Sequence, residues 1–191
     1  RVKGCESVVQ LLEFFTDSKS GFGCLVFEFC PGGDMLAFLQ SRQLAAADAK
    51  KSFLKIPEST LREWLQQLLV GLQALETEGL VHGDITLRNI FFARANDLSQ
   101  IKIGDLGISQ RLGQGSLKTK QSMHVSPEAL NDEPISMASD VYSVGCVLLE
   151  SMLLDVPDLT AGAKSWASRA SLDVPFNDCK DRGYSESLLE L

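Results

Sequence analysis

The reading turns on Val81-His82-Gly83-Asp84-Ile85-Thr86-Leu87-Arg88-Asn89-Ile90. Apolar pairs, Leu80-Val81 before it and Ile90-Phe91-Phe92 after it, read as short strands that flank a loop. The loop carries one carboxylate, Asp84, and five residues later one amide, Asn89. In phosphoryl transfer a carboxylate so placed orients the attacking hydroxyl and accepts its proton, while an amide oxygen helps to hold Mg²⁺. A second carboxylate is needed to bridge metal to phosphate. Ile103-Gly104-Asp105-Leu106-Gly107 supplies it, again where a strand runs into a loop. Hard oxygen donors suit Mg²⁺, which also takes phosphate oxygens and water.

Upstream of this core, Val8 to Phe15 and Cys24 to Phe29 read as two strands joined by a turn at 17–23 and closed by Pro31-Gly32-Gly33. Asp34 is a natural N-cap for a short helix through Leu39, and 41–58 reads as an Ala-rich connector. Ser59 or Thr60 is expected to cap a longer helix, in which Leu61, Trp64, Leu65, Leu68, Leu69, Leu72 and Leu75 recur at helical spacing up to Gly79. Beyond the second carboxylate, Gly104 to Glu128 reads as a long loop. An apolar helix is expected over 139–154 and a further helix over Tyr184 to Leu191. Strands lead and helices follow, which predicts an α+β fold.

The 191 residues are 45% hydrophobic, ample for a packed core. A net charge of −7 argues against nucleic acid as partner, since phosphate contacts need clustered Lys and Arg. Five scattered cysteines without a C-x-x-C pair argue for free thiols rather than a disulfide framework or zinc site. The apolar run around Val141 to Val156 is too short and too charged to span a bilayer, so no membrane partner is expected. Cytoplasm is the default compartment, and the oligomeric state is left open.

These motifs together resemble the protein kinase family. His82-Gly83-Asp84 with Asn89 resembles its H-R-D-x-x-x-x-N, Asp105-Leu106-Gly107 its D-F-G and Ser126-Pro127-Glu128 its A-P-E. Ser139-Asp140-Val141-Tyr142-Ser143-Val144-Gly145 resembles the start of its central helix, and Leu25 to Asp34 its fifth strand and hinge. The elements stand in family order over nearly the whole chain. The resemblance implies a bilobal fold, with residues 1–30 a remnant of the N-lobe and hinge and 31–191 a C-lobe incomplete at its C-terminus. It implies ATP and Mg²⁺ as cofactors and a protein substrate. Asp84 would be the catalytic base, with Arg88 supplying positive charge nearby, and Asn89 and Asp105 would ligate the metal. Phe27 would be the gatekeeper, Glu28 and Cys30 would bond adenine through their backbones, Phe91 would lie below the ring and Asp34 would reach the ribose. His82 and Leu106 would link the lobes, and Asp140 would tie the central helix to the loop.

The chain also departs from the pattern. A Gly-rich loop, an ATP-anchoring lysine and its glutamate partner are not found, and Lys3 stands too late to be that lysine. The chain is therefore expected to begin after those parts and to stop inside a late C-lobe helix, before the arginine that normally pairs with Glu128. Gly83 replaces the arginine that meets a phosphate on the activation loop, so phosphorylation at Ser116, Thr119 or Ser122 is not expected to be required for activity. Thr86 stands in place of a phosphate-contacting lysine. Gln121 and His124 match neither the Ser/Thr nor the Tyr pattern well, and a Ser/Thr hydroxyl is favoured. Two other functions fit parts of the sequence: an inactive pseudokinase acting as a binding module, and a small-molecule phosphotransferase, whose family favours H-G-D-x-x-x-x-N.

Overall fold

The computed structural model describes residues 2, 4–48, 55–111, 124–154 and 173–190. Lys3, Ser116, Thr119, Gln121 and Ser122 lie outside that set.

Short apolar runs build an antiparallel ribbon of β1 (Leu11–Thr16) and β2 (Gly23–Phe27), with a bulge between Leu11 and Glu13. Its turn is held by the Asp17 carboxylate, which accepts from the Lys19 and Ser20 amides (both 3.1 Å). Phe14 and Leu25, paired across the ribbon, are 62% and 56% exposed, so the ribbon contributes little to the core.

Asp34 does cap a helix, its Oδ1 accepting from Ala37 N at 2.8 Å. That helix, α1 (Met35–Asp48), runs well past Leu39 and takes up half of the expected connector. The reason is propensity rather than burial. Met35, Leu36 and Leu39 face the core, whereas Leu44 is exposed, and Leu44-Ala45-Ala46-Ala47 prolongs the helix as strong helix formers do.

In α2 (Glu58–Thr77), Leu61, Trp64, Leu68, Leu72 and Leu75 form a buried stripe at the expected spacing. The helix starts earlier than expected. Pro57, with its φ preset, stands at the N-cap, and Ser59 and Thr60 lie inside the helix. Trp64 is the keystone of the stripe. Its ring meets Phe38 and Phe92 edge-on at 6.1 and 5.7 Å, and its Nε1 donates to Leu98 O at 2.7 Å.

After Gly79, β3 (Leu80–Val81) pairs antiparallel with β6 (Gln110–Arg111), and β4 (Ile90–Arg94) pairs with β5 (Asp97–Ile103). Period-two alternation turns Ile101 and Ile103 of β5 onto α2 and the core. Two short 3-10 turns, Leu87–Asn89 and Leu106–Ile108, stand where the motif residues lie. The helices α3 (Pro127–Leu130), α4 (Met137–Leu153), α5 (Asp173–Asp181) and α6 (Glu186–Leu189) complete the described fold. α4 begins two residues before the expected start because Ser136, not Ser139, is its N-cap. Ser139 returns the bond as the third residue of a capping box. The core lies between α2, α4 and the β4–β5 hairpin. All five cysteines are free thiols. Among the described residues no helix is long and apolar enough to cross a membrane.

The start of α2 and the start of α6 are joined by Glu58, which accepts from Ser185 Oγ (2.6 Å), Ser185 N (3.1 Å) and Arg62 (2.8 Å). The Ser185 hydroxyl first, then the Arg62 guanidinium, hold its carboxyl down from 4.5 to about 2. A depressed folded pKa stabilises the fold above the unfolded value and loses that stabilisation as pH falls toward the folded one. Glu58→Gln is therefore expected to flatten the fall of melting temperature with pH between about 4.5 and 2. Melting curves of both forms across that window check this, and parallel profiles contradict it.

Candidate active site

The site is built around the loop 82–89. Gly83 has φ +77°, a conformation that glycine adopts at no steric cost. The turn brings the His82 and Gly83 amides onto one carboxylate of α4. His82 N donates to Asp140 Oδ2 (2.7 Å) and Gly83 N to Oδ1 (2.8 Å), and Asp140 is 1% exposed. Burial pushes the Asp140 carboxyl up, against the downward pull of the two amides. The expected tie between central helix and loop is thus a pair of amide–carboxylate bonds, that of His82 buried and that of Gly83 half-buried.

His82 is fully buried and works as a strut. Its Nδ1 accepts from Asp84 N (3.2 Å), which assigns the proton to Nε2, so Nε2 donates to Gly104 O (2.9 Å). Gly104 N in turn donates to Asn89 O at 2.8 Å. Two bonds therefore fasten the loop to the residue just before Asp105. Gly104 is small for a reason: a Cβ there would lie 2.8 Å from the Phe91 ring and 3.1 Å from Val9 Cγ2.

Within the loop, Asn89 Nδ2 donates to Asp84 O (2.8 Å) and to Asp84 Oδ2 (2.9 Å). Both amide protons are thereby engaged, and Oδ1 is the atom that Asn89 has to offer a cation. Asp105 adopts the left-handed backbone at φ +57°, is exposed, and accepts from Gly107 N at 3.2 Å. A non-glycine residue at positive φ stores strain of the kind that clusters at functional sites. A shared hydrogen-bond frame thus joins Asp84 and Asn89 to Gly104, the residue before Asp105. Among the described residues no three His, Cys, Asp or Glu converge as an all-protein metal cage. A Mg²⁺ site needs none, because water and substrate phosphate complete its shell. The oxygens of Asn89 and Asp105 fit such an ion. Arg88 is exposed and has no ion pair among the described residues.

The hinge segment follows β2. Glu28 engages its amide with Gln10 O (2.9 Å), and Cys30 its carbonyl with Gly33 N (3.2 Å). Among the described residues the Glu28 carbonyl and the Cys30 amide make no backbone bond, an acceptor and a donor two residues apart. That spacing fits the donor–acceptor edge of adenine. Phe27 is 40% exposed beside this segment, and Phe91 is half-buried below it, bridged to Asp34. Asp34 has one carboxylate oxygen committed to the α1 cap, so the other is the one open to a ribose hydroxyl.

Further along, His124 Nε2 bonds Glu150 Oε2 at 2.8 Å, both groups buried. Glu128 accepts from Ser139 Oγ. Burial pushes the Glu128 carboxyl up, yet the Ser139 hydroxyl leads the bonds that bring it below its ordinary value. The sequence reading did not single out Lys102, whose Nζ contacts Glu28 Oε1 (2.8 Å) and Oε2 (3.0 Å), nor Gln10, whose N donates to Glu28 Oε1 (2.7 Å). The Lys102–Glu28 partners are 74 positions apart, and no local pattern announces them.

Known proteins resemble this chain. A model of the protein kinase domain matches residues 1–171. Serine/threonine-protein kinase Nek4 of Mus musculus is 33% identical over 142 residues, 72% of this chain and 16% of its own length. Serine/threonine-protein kinase Nek11 of Mus musculus is 34% identical over 137 residues, 69% of this chain and 20% of its own length. The chain thus spans a fifth or less of these curated relatives. Among solved structures, the Cydia pomonella granulovirus kinase PK-1 superposes with a TM-score of 0.67 at 20% identity, over 82% of this chain and 55% of that one, a likeness of fold. On the strength of the matched domain and of the relatives above 30% identity, the chain belongs to the protein kinase family.

Proposed function

We propose that this chain is part of the catalytic domain of an ATP- and Mg²⁺-dependent protein kinase that phosphorylates Ser or Thr hydroxyls. One observation carries the reading: Asp84, Asn89 and the residue before Asp105 are locked to each other through His82, Gly104 and Asp140. A scaffold with no chemistry to perform has no need to bind Asp84 and Asn89 to each other and to the residue that leads into Asp105. Residues 1–30 are taken as the end of the smaller lobe with the hinge, and 31–191 as the larger lobe.

In this mechanism Asp84 receives the proton of the substrate hydroxyl while its Oδ2 is steadied by Asn89. Asn89 Oδ1 and Asp105 would hold Mg²⁺, which neutralises phosphate charge when bound. Glu28 O and Cys30 N take the adenine edge, Phe27 and Phe91 line the ring, and Asp34 takes the ribose. Arg88 offers positive charge to the phosphates where Thr86 has none. The choice of Ser/Thr follows the names of Nek4 and Nek11, and a protein is the expected substrate. The acidic balance speaks against nucleic acid.

Thr86 and Gly83 favour a second reading, a module that binds nucleotide or partner without transfer. Nucleotide binding to the intact protein, followed with a fluorescent ATP analogue, tests the metal part of the proposal. Excess Mg²⁺ is expected to tighten binding about tenfold, and Asp105→Asn to remove that gain. Equal affinity with Mg²⁺ and with chelator in the unaltered protein contradicts the assignment of Asn89 and Asp105.

A further inference from the structure

Lys102 is the described lysine most deeply set in the fold, 8% exposed, and neither the motifs nor the mechanism above uses it. Alternation along β5 turns it away from Ile101 and Ile103, and in the register of the hairpin it stands opposite Phe91. Its ammonium grips both oxygens of Glu28 at 2.8 and 3.0 Å. Glu28 is fixed from its other side as well: Gln10 N donates to its carboxylate (2.7 Å), and its own amide donates to Gln10 O (2.9 Å). The Gln10 side chain is tied down in turn, donating to Val8 O (2.7 Å) and Cys5 O (2.9 Å).

The ammonium on both oxygens and the Gln10 amide on one of them hold the carboxylate from two sides. Three residues after Lys102, the same strand leads into Asp105. The same end of β5 thus carries both the lysine that holds Glu28 and the turn into Asp105. A single exposed ion pair contributes little, but this lysine is shielded, and losing its partner leaves a buried cation uncompensated.

We infer that Lys102 is a positioning residue for the nucleotide: through Glu28 it orients the hinge carbonyl and amide so that they select adenine over guanine. The inference rests on the reading of residues 28–30 as the adenine hinge. Guanine carries a carbonyl where adenine has its amino group and a protonated ring nitrogen where adenine has an acceptor. A hinge held in one orientation rejects it, and a hinge free to turn does not.

The test measures dissociation constants of fluorescent ADP and GDP analogues for the intact protein and its variants. The unaltered protein is expected to prefer the adenine nucleotide. Lys102→Met and Glu28→Gln are each expected to reduce that preference about tenfold, mostly by weakening ADP, and the double variant to add little to either. Lys102→Arg keeps the grip and is expected to keep the preference. A purely structural lysine lowers the melting temperature of Lys102→Met and leaves the preference intact, which overturns the inference and spares the hinge reading. No adenine preference in the unaltered protein overturns both. Should Lys102→Met not fold, Glu28→Gln decides alone, because it keeps the size of the side chain and the bond to Gln10 N.

Discussion

Asp140→Ala is expected to lower unfolding free energy by about 3 kcal/mol, since one buried and one half-buried amide lose their acceptor, at roughly 1–3 kcal/mol for a buried one and less for the other. The His82 and Gly83 amides are the ones orphaned. With Asp140 1% exposed, water cannot readily take its place. Asp140→Asn offers one acceptor and turns an N–H toward an N–H, so it is expected to fall only slightly short of alanine. Chemical denaturation of the three forms measures the difference. A loss below about 1 kcal/mol for alanine, the size of an ordinary surface change, defeats the view that these two bonds anchor the loop. Activity is expected to fall further than stability does, because the same bonds place Asp84 two residues along from His82.

The segments that could be read in advance are those in which one physical signal acts locally. The buried stripe of α2 follows from Leu and Trp at helical spacing, and its contact with β5 from the alternation of Ile101 and Ile103. The loop 82–89 could be placed in advance because apolar pairs flank it on both sides and form the short strands β3 and β4. Where two signals compete, the reading fails. Ser59 and Thr60 look like caps, but Pro57 with its preset φ begins the helix before them. The stretch from Gln40 to Asp48 has no apolar face to mark it, so a helix sustained by alanine propensity passed for a connector. The helix expected from Ser139 begins at Met137, because Ser136 caps it and Ser139 serves that cap from the third position. The Lys102–Glu28 grip and the Trp64–Leu98 bond join residues far apart in sequence, and such pairs become visible only once the chain is folded. His82 lies between these cases: its place in the motif marked it as structural, but its role as a strut between the Asp84 amide and Gly104 is a property of the assembled loop.

Asp84→Asn tests the chemistry itself. The substitution leaves the frame standing, since the new side chain still presents an oxygen to Asn89 Nδ2 and the backbone bonds from His82 and to Asn89 are untouched. What it removes is the capacity to accept a proton. General-base assistance is worth about 10²–10⁴-fold, so phosphotransfer from ATP to a protein hydroxyl is expected to drop roughly a thousandfold in kcat. Nucleotide affinity and melting temperature are expected to stay near those of the unaltered protein, because Asp84 touches neither the adenine hinge nor the core. That split between kcat and binding separates the readings. Transfer in the unaltered protein that vanishes in Asp84→Asn, with nucleotide affinity retained, is the behaviour of a kinase whose base is Asp84. Transfer that survives the substitution removes Asp84 from that role. Nucleotide binding without transfer in either form gives the binding-module reading the better account, with Thr86 in place of the lysine and Gly83 in place of the arginine as the residues that cost the chain its chemistry.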